Sequence, residues 1–478
     1  MAIPTQDELL QMPPEQAIGL LLGVIADLQR QLAEKSSPPK DSSNSSKPPT
    51  TDIVPRTRSL RGRSGKKPGG QPGHRGHTRS LTDEPDLIQA LRPSCCSGCG
   101  SALPDSLPAT VAERRQVIDL PPTRALTVEY QALAVTCEHC RASTVGASPD
   151  PVVASIGFGP RLQAVVVHLK EFQHLSYQRL QETLHDLFGC SIGQASLVGL
   201  VADAALRCRD AHDALKSEVG ASPVIACDET GLRVAGRGHW LWVFRTPLLT
   251  LLVVSTSRGA DVIASVLGGL ETSAAWVSDR WRAQFRVRAG GGHQLCLPHI
   301  LRELQYCLDL KRSVWAYRVG RDLREAMALR RRFDRMAESG QDCWSHPEWV
   351  AWRERAVAAM ERQLDGTLAG PASHRVDRKL KKALTKPAHR AALTLFLSRR
   401  DVPYDNNGSE RDLRPEKVHQ KVIGGFRSIA GAERHALLLS IIQTARKQKK
   451  GVLERLTELL GAPQMIQVSY ALIPPGAE

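Results

Sequence analysis

Residues Pro223–Val234, PVIACDETGLRV, join an apolar run to two adjacent acids. The run from Val224 to Cys227 has the composition of a buried strand, and Asp228 stands where we expect that strand to end, before a turn. A rigid strand fixes a carboxylate better than a loop does. Asp228 is therefore the first candidate for a functional site built on a sheet.

The segments after Asp228 read as further strands and one helix. In chain order they are Gly238–Thr246 (GHWLWVFRT), Leu248–Ser257 (LLTLLVVSTS), the helical Gly259–Leu270, Ser273–Trp281 (SAAWVSDRW) and His293–Leu297 (HQLCL). Asp279 lies at the end of the fourth strand. Three strands, a helix and a strand that bears an acid are the order of an RNase H-like α/β domain, which is the core that the sequence predicts.

A third acid lies far downstream, in Tyr404–Pro415 (YDNNGSERDLRP). Asp405–Asn407 favours a helix N-cap, so we expect Glu410 on a helix that Pro415 stops or kinks. The charged, mostly helical residues 301–400 would then be an insertion between the last strand and this helix.

Together, Asp228, Asp279 and Glu410 could hold the metal ions of a phosphodiester-cutting site. Magnesium prefers oxygen ligands, and a pair of ions can activate water and stabilise the leaving oxygen. Spacing leaves other carboxylates open as ligands: Glu229, Glu271 and Asp405.

Length and charge restrict the class of protein. The 478 residues predict two to four domains, and 64 basic against 49 acidic residues give a net charge of +15. This balance favours a polyanionic partner, most often nucleic acid, over a merely solvated basic surface. No segment reads as a signal peptide or a membrane span, and the 11 cysteines do not read as a disulfide scaffold, so we expect a reduced cytoplasm.

The N-terminal segment has a coiled-coil pattern. Apolar residues recur at spacings of three and four: Ile18, Leu21, Ile25, Leu28 and Leu32. Such a short seam is expected to pair with another copy of the chain; packing on its own domain is the alternative.

A basic arm without acids follows, within a Ser- and Pro-rich linker. It is expected to contact DNA phosphates through Arg56, Arg58, Arg61, Arg63, Lys66 and Lys67. A solvated tether is the alternative.

Two CxxC pairs, Cys96 with Cys99 and Cys137 with Cys140, predict a structural zinc ribbon. Val117–Thr136 alternates like a pair of strands between them. Neighbouring Cys95 and His139 could substitute as ligands; a redox pair is the weaker interpretation.

Leu175–Ala204 predicts two helices around a turn at residues 189–191. This pattern resembles a helix-turn-helix, whose second helix could enter a major groove, although a helical pair packed for structure alone is equally common.

The sequence thus predicts a multidomain α/β chain. The segments are a coiled-coil or helical start (1–35), a basic linker (36–85), a zinc ribbon (86–155), a helix-turn-helix-like region (156–220), the first part of the RNase H-like core (221–300), a helical insertion (301–400), the final core helices (401–450) and a C-terminal tail (451–478).

Several motifs resemble those of the insertion-sequence-66 family of bacterial transposases. They are NSSKPP, KKPGGQPGHRGHTR, the CxxC pairs, CDETGLRV, HWLWV, VSDRW, LPHILRELQY, DNNGSERDLRP and GGFRSIAGAERHA, and they cover nearly the whole chain. The resemblance implies a DDE transposase that uses Mg²⁺ or Mn²⁺ at Asp228, Asp279 and Glu410. It differs at two places, where Arg280–Trp281 stands for a Gly-Tyr pair and Leu297–His299 for Trp-Ala-His.

Such an enzyme would bind element ends and target DNA in the bacterial cytoplasm, near the nucleoid. Two ends must be held together, so we expect a dimer or higher oligomer, with accessory element-encoded proteins as possible partners. His299, Arg411 and Arg414 are candidates for contacting phosphate or supporting the acids. The alternatives are a catalytically silent DNA-binding regulator or domesticated transposase, and a host repair nuclease.

Overall fold

The computed structural model describes residues 12–35, 73–74, 79–121, 123–147 and 156–461, and within residues 27–35 only the backbone. The strands are β1 Ala134–Thr136, β2 Ser143–Val145, β3 Val224–Val234, β4 Arg237–Arg245, β5 Thr250–Ser255, β6 Glu271–Thr272, β7 Ala275–Ser278, β8 Arg288–Ala289 and β9 His293–Leu295. The helices are α1 Pro14–Lys35, α2 Pro160–Val167, α3 Tyr177–Phe188, α4 Gln194–Arg207, α5 Arg209–Gly220, α6 Ala260–Leu267, α7 Leu297–Lys311, α8 Val314–Glu338, α9 Pro347–Ala369, α10 Arg375–Leu384, α11 Pro387–Ala391, α12 Leu395–Ser398, α13 Asn407–Ile423, α14 Ile429–Lys447 and α15 Val452–Leu460. A π-helical turn, His168–Phe172, continues α2.

A five-stranded mixed sheet in the order β5-β4-β3-β7-β9 forms the centre of the α/β region. The first three strands are antiparallel neighbours, whereas β3, β7 and β9 run parallel. The predicted succession of three strands, a helix and a strand is confirmed by β3, β4, β5, α6 and β7.

The prediction that the first strand ends on Asp228 is wrong. Strand β3 continues through Asp228 to Val234 and forms a hairpin with β4. The connection is Ala235 and Gly236, whose positive φ angles of 48° and 75° suit a two-residue hairpin turn. Asp228 therefore lies in mid-strand, opposite Val243 of β4.

Helices cover both faces of the sheet. On one face, Ile225 and Cys227 of β3 pack with residues of α5 and α6. On the other, Val224 and Ala226 join the core of the helical block α7–α12. The expectation of a mostly helical segment between the last strand and Glu410 is thereby confirmed.

Helix α14 covers the edge strand β5 and hydrogen-bonds to it. The N–H of Leu252 donates to Ser440 Oγ (2.9 Å) and that of Thr250 to Thr444 Oγ1 (3.0 Å). Hydroxyl groups of the helix thus satisfy backbone donors that an open edge would leave unpaired.

The two helices predicted over Leu175–Ala204 are confirmed as α3 and α4. Ser176 caps α3 by accepting from Arg179 N, and Gly189 ends it with a φ of 61°. Buried residues of α4 pack in one cluster with α14 and α15. The sequence predicts a tail over residues 451–478; instead, Val452–Leu460 is the helix α15, and Leu456 and Leu460 are buried in this cluster.

Helix α13 starts where the sequence predicts but continues through Pro415 to Ile423. Proline was expected to stop or kink the helix because it lacks an N–H. Asp412 and Glu416, on either side of it, are buried and in contact with α14 side chains, which holds the helix across the proline.

The N-terminal part agrees with the sequence only in outline. Helix α1 is present, and three of its seam residues, Ile18, Leu21 and Ile25, are exposed, so pairing with a second copy stays a prediction.

The strand pair predicted over Val117–Thr136 is wrong except for β1, which pairs with β2 across the second CxxC. Its apolar residues are largely exposed, because no opposing layer covers them among the residues that the structure describes: Val117, Ile118, Leu120 and Leu133. Within the described ranges no helix is long and apolar enough to cross a membrane.

Candidate active site

Asp228 lies on β3, and Asp279 directly follows the neighbouring parallel strand β7. In the pairing of β3 with β7, Ala226 lies opposite Val277, so continuing the same register by two residues brings Asp228 level with Asp279. The N–H of Trp281 donates to Asp279 Oδ1 (2.9 Å), and that of Glu229 donates to Asp228 Oδ1 (2.9 Å). Both carboxylates are thus fixed by backbone donors next to them in sequence.

Glu410 approaches this pair from the first turn of α13. The buried Asn406 ties the start of the helix to the sheet: its Nδ2 donates to the carbonyl oxygen of Cys227 (2.9 Å), next to Asp228. Ser409 Oγ in turn donates to Asn406 Oδ1 (2.6 Å). Asn406 is the N-cap residue of α13, within the predicted Asp405–Asn407, but its side chain makes no capping hydrogen bond and instead links α13 to β3.

The Glu410 carboxylate also faces two basic side chains of α7. Its Oε1 lies 3.7 Å from His299 Nε2 and 3.5 Å from Arg302 Nη2. Burial lowers the pKa of His299 to about 3, and the charge of Arg302 contributes, so this imidazole is neutral at physiological pH. His299 was a candidate from sequence; Arg302 was missed, although its spacing of three residues from His299 places it on the same helical face.

Asp279 and Glu410 lie close enough to Asp228 to perturb its pKa. Burial raises the pKa of Asp228 well above its usual value, and the charges of Asp279 and Glu410 add to the effect. Burial likewise raises the pKa of Asp279. Their atoms are nonetheless more widely spaced than those of Glu416, His419 and His435, the one group in the described part of the chain whose ligand atoms all lie within 4.8 Å of one another.

The alternative ligands have other partners. Glu229 has a 1% exposed side chain and pairs with Arg258 (2.8 Å), while Asp405 accepts from the N–H of Asn407 (3.0 Å). Glu271 is exposed on β6 and pairs with Arg288.

Arg258 joins Glu229 to an aromatic stack beside Asp279. Its guanidinium lies 4.5 Å from the ring centroid of Trp240 and 4.1 Å from that of Trp281. Trp281, at a position where the sequence departs from the family pattern, is 37% exposed. It therefore borders the acids and solvent at once.

The predicted DNA-contacting residues are only partly described. Arg411 and Arg414 are exposed on α13, within one turn of Glu410. The arm residues lie outside the described residues: Arg56, Arg58, Arg61, Arg63, Lys66 and Lys67.

The two CxxC pairs form turns with the same hydrogen bonds. Cys96 N donates to Ser101 O and Cys137 N to Ala142 O, both at 2.8 Å. Hydrogen bonds, chiefly with Ser101, lower the pKa of Cys99 to about 7. Each turn thus suits a metal-binding knuckle, although the pairs are not brought together in a group of ligands within 4.8 Å. Structural zinc at Cys96, Cys99, Cys137 and Cys140 stays a prediction.

A comparison with protein families gives one match. The family model described as "Transposase IS66 family" matches residues 156–434, which include both aspartates, Glu410 and the helical block. Among curated proteins nothing matches the chain. Because the matched residues are more than half of the 478, the chain belongs to the IS66 family of transposases.

Proposed function

We propose that this transposase cuts and joins DNA at a site formed by Asp228, Asp279 and Glu410. The observation that carries the proposal is the register of β3 with β7, which continued by two residues brings Asp228 level with Asp279, together with the hydrogen bond that ties the start of α13 to Cys227 beside Asp228. The strand order β5-β4-β3-β7-β9 supports an RNase H-like core.

The donor set fits hard divalent ions. Burial raises the pKa of both aspartates, and the charges of Asp279 and Glu410 add to the shift at Asp228, so the three carboxylates form a negative site for which Mg²⁺ or Mn²⁺ is the natural counter-charge. When bound there, a pair of such ions would supply an activated water and stabilise the leaving oxygen of a phosphodiester.

The remaining residues would orient this site. Arg302 pairs with the Glu410 carboxylate beside neutral His299, and the Trp281 N–H holds the carboxylate of Asp279. Exposed Arg411 and Arg414 on the same helix would bind DNA phosphates.

The other modules would handle the DNA ends. The proposal assigns end recognition to the basic arm, a zinc-bound cysteine module and α3–α4, and synapsis of two ends to a dimer that uses α1. The exposed seam of α1 and the matching knuckle turns support these assignments.

The test is a strand-transfer assay with DNA carrying the element ends, in Mg²⁺, with accessory element-encoded proteins present and absent. We expect Asp228→Asn to lower cleavage and joining by about 10³-fold, corresponding to about 4 kcal/mol of transition-state stabilisation, while end binding is retained. Glu271→Gln is the matched control, because this acid is exposed on β6 and pairs with Arg288.

A silent DNA-binding regulator would bind ends and give no metal-dependent product with the wild-type chain. Loss of activity in Glu271→Gln, with Asp228→Asn active, would show that the acids are wrongly assigned.

A further inference from the structure

A second group of ligating side chains lies on the helix that carries Glu410. Glu416 and His419 of α13 face His435 of α14, and their ligand atoms all lie within 4.8 Å of one another. The three residues are 0%, 3% and 2% exposed. The spacing of three residues between Glu416 and His419 places both on one face of α13.

The ligand atoms of this group are unsatisfied. His435 Nε2 lies 3.0 Å and His419 Nδ1 3.9 Å from Glu416 Oε2. Despite this closeness, none of the three atoms makes a hydrogen bond of acceptable geometry within the part of the chain that the structure describes, and Glu416 Oε1 is unpaired as well. Buried polar atoms are rarely left without a partner, so a missing species is indicated.

The surroundings resemble the outer shell of a metal site. Glu171, on the π-helical turn, places Oε2 2.5 Å from His435 Nδ1, the contact that fixes a metal-binding imidazole with its other nitrogen turned inward. His174, in a left-handed conformation with a φ of 60°, has a buried, unpaired Nδ1 and packs edge-on against His419. A nearby cation, Lys170, is directed elsewhere, because its Nζ donates to Leu175 O (3.2 Å).

A metal-free explanation is a protonated His435 that bridges Glu171 and Glu416. This would pair His435 Nε2 with one oxygen of Glu416, but His419 Nδ1 and the second oxygen of Glu416 would stay unpaired. A metal ion would satisfy the nitrogens of both histidines and the carboxylate together.

We propose that Glu416, His419 and His435 bind a structural transition-metal ion, zinc being the best fit. Two imidazoles and a carboxylate are ligands that Zn²⁺ accepts and that Mg²⁺ does not favour. The ion would fasten α13 to α14 and, through Glu171, to the helical region before β3. It would be separate from the ions at Asp228, Asp279 and Glu410 and from zinc at the cysteines.

The test measures bound zinc by mass spectrometry in the full-length chain with Cys96, Cys99, Cys137 and Cys140 replaced by serine. We expect this variant to retain zinc. Adding His419→Gln should weaken zinc binding by about 100-fold or more, and adding Glu171→Gln by about 10- to 100-fold. His346→Gln, at an exposed histidine that starts α9, is the matched control and should change nothing.

A folded serine variant that contains no zinc would overturn the proposal, as would equal zinc binding by the His419→Gln and His346→Gln variants. Cobalt(II) provides a second measurement on the chain with its cysteines intact. The difference between the cobalt(II) spectra of the wild type and the His419→Gln variant should lie in the visible range and lack a thiolate charge-transfer band. Identical cobalt(II) spectra of the two proteins would also overturn the proposal.

Discussion

Asn406 is the residue at which the link between helix α13 and the sheet can be tested most directly. Its 2% exposed side chain makes two hydrogen bonds, to the carbonyl oxygen of Cys227 and from the hydroxyl of Ser409. Asn406→Ala removes both and leaves a carbonyl and a hydroxyl buried without these partners. At about 1 to 2 kcal/mol for each unsatisfied group, the free energy of unfolding should fall by about 2 to 4 kcal/mol.

Activity should fall as well, because the start of α13 positions Glu410. Urea unfolding can be followed by tryptophan fluorescence, since Trp242 and Trp276 are fully buried in the sheet. We expect a lower midpoint with an unchanged slope. The matched control is Asn407→Ala, because Asn407 uses its backbone N–H, not its side chain, to bond Asp405.

Equal midpoints for Asn406→Ala and Asn407→Ala would refute the reasoning. So would full strand transfer by a destabilised Asn406→Ala protein, because Glu410 would then be positioned without this link.

Three further substitutions test the electrostatics of the site. Burial and like charges raise the pKa of Asp228, so folding disfavours its ionised form at pH 7. In the presence of a chelator, Asp228→Asn should therefore raise the free energy of unfolding by about 0.5 to 2 kcal/mol while abolishing activity. A lower melting temperature of this variant would contradict the prediction. Asp412→Asn should lower the free energy of unfolding, measured by urea titration, by about 3 to 5 kcal/mol, because the partly buried cations Arg245 and Lys447 lose their shared carboxylate. A change below about 1 kcal/mol, the size expected of an exposed ion pair, would show that these ion pairs are solvated. His299 has a pKa of about 3 in the folded protein against 6.5 for the free side chain, so it contributes stability that is lost as pH falls below 6.5. The melting temperature of His299→Gln should therefore depend less on pH between 6.5 and about 4 than that of the wild type. The same pH dependence in both proteins would contradict the lowered pKa of His299.

The sequence predicts the succession of strands along the chain because each strand is a separate apolar run with a turn signal after it. It failed at the end of β3, where ETGLRV contains charged residues and a glycine. Leu232 and Val234 are nevertheless buried, against Ala432 of α14. A partner about two hundred residues away along the chain leaves no local signal, so the strand was predicted too short.

The same limit applies to the group at Glu416. The spacing of Glu416 and His419 is visible in the sequence, but a single such pair on a helix is common, and His435 and Glu171 approach only after α14 and the π-helical turn have packed together. The three catalytic candidates were accessible because the motifs around them resemble a known family, not because of their spacing.

Helix α13 shows how distant contacts determine the direction of Glu410. At about 100° per residue, Asp412, Glu416 and His419 lie within about 60° of one another around the helix, and Glu410 lies on the opposite side. The buried polar groups of the first face contact α14, so they fix the rotation of the helix about its axis. A change at Asp412 therefore reaches the carboxylate of Glu410 through this rotation, and Asp412→Asn should lower strand transfer even under conditions where the protein stays folded.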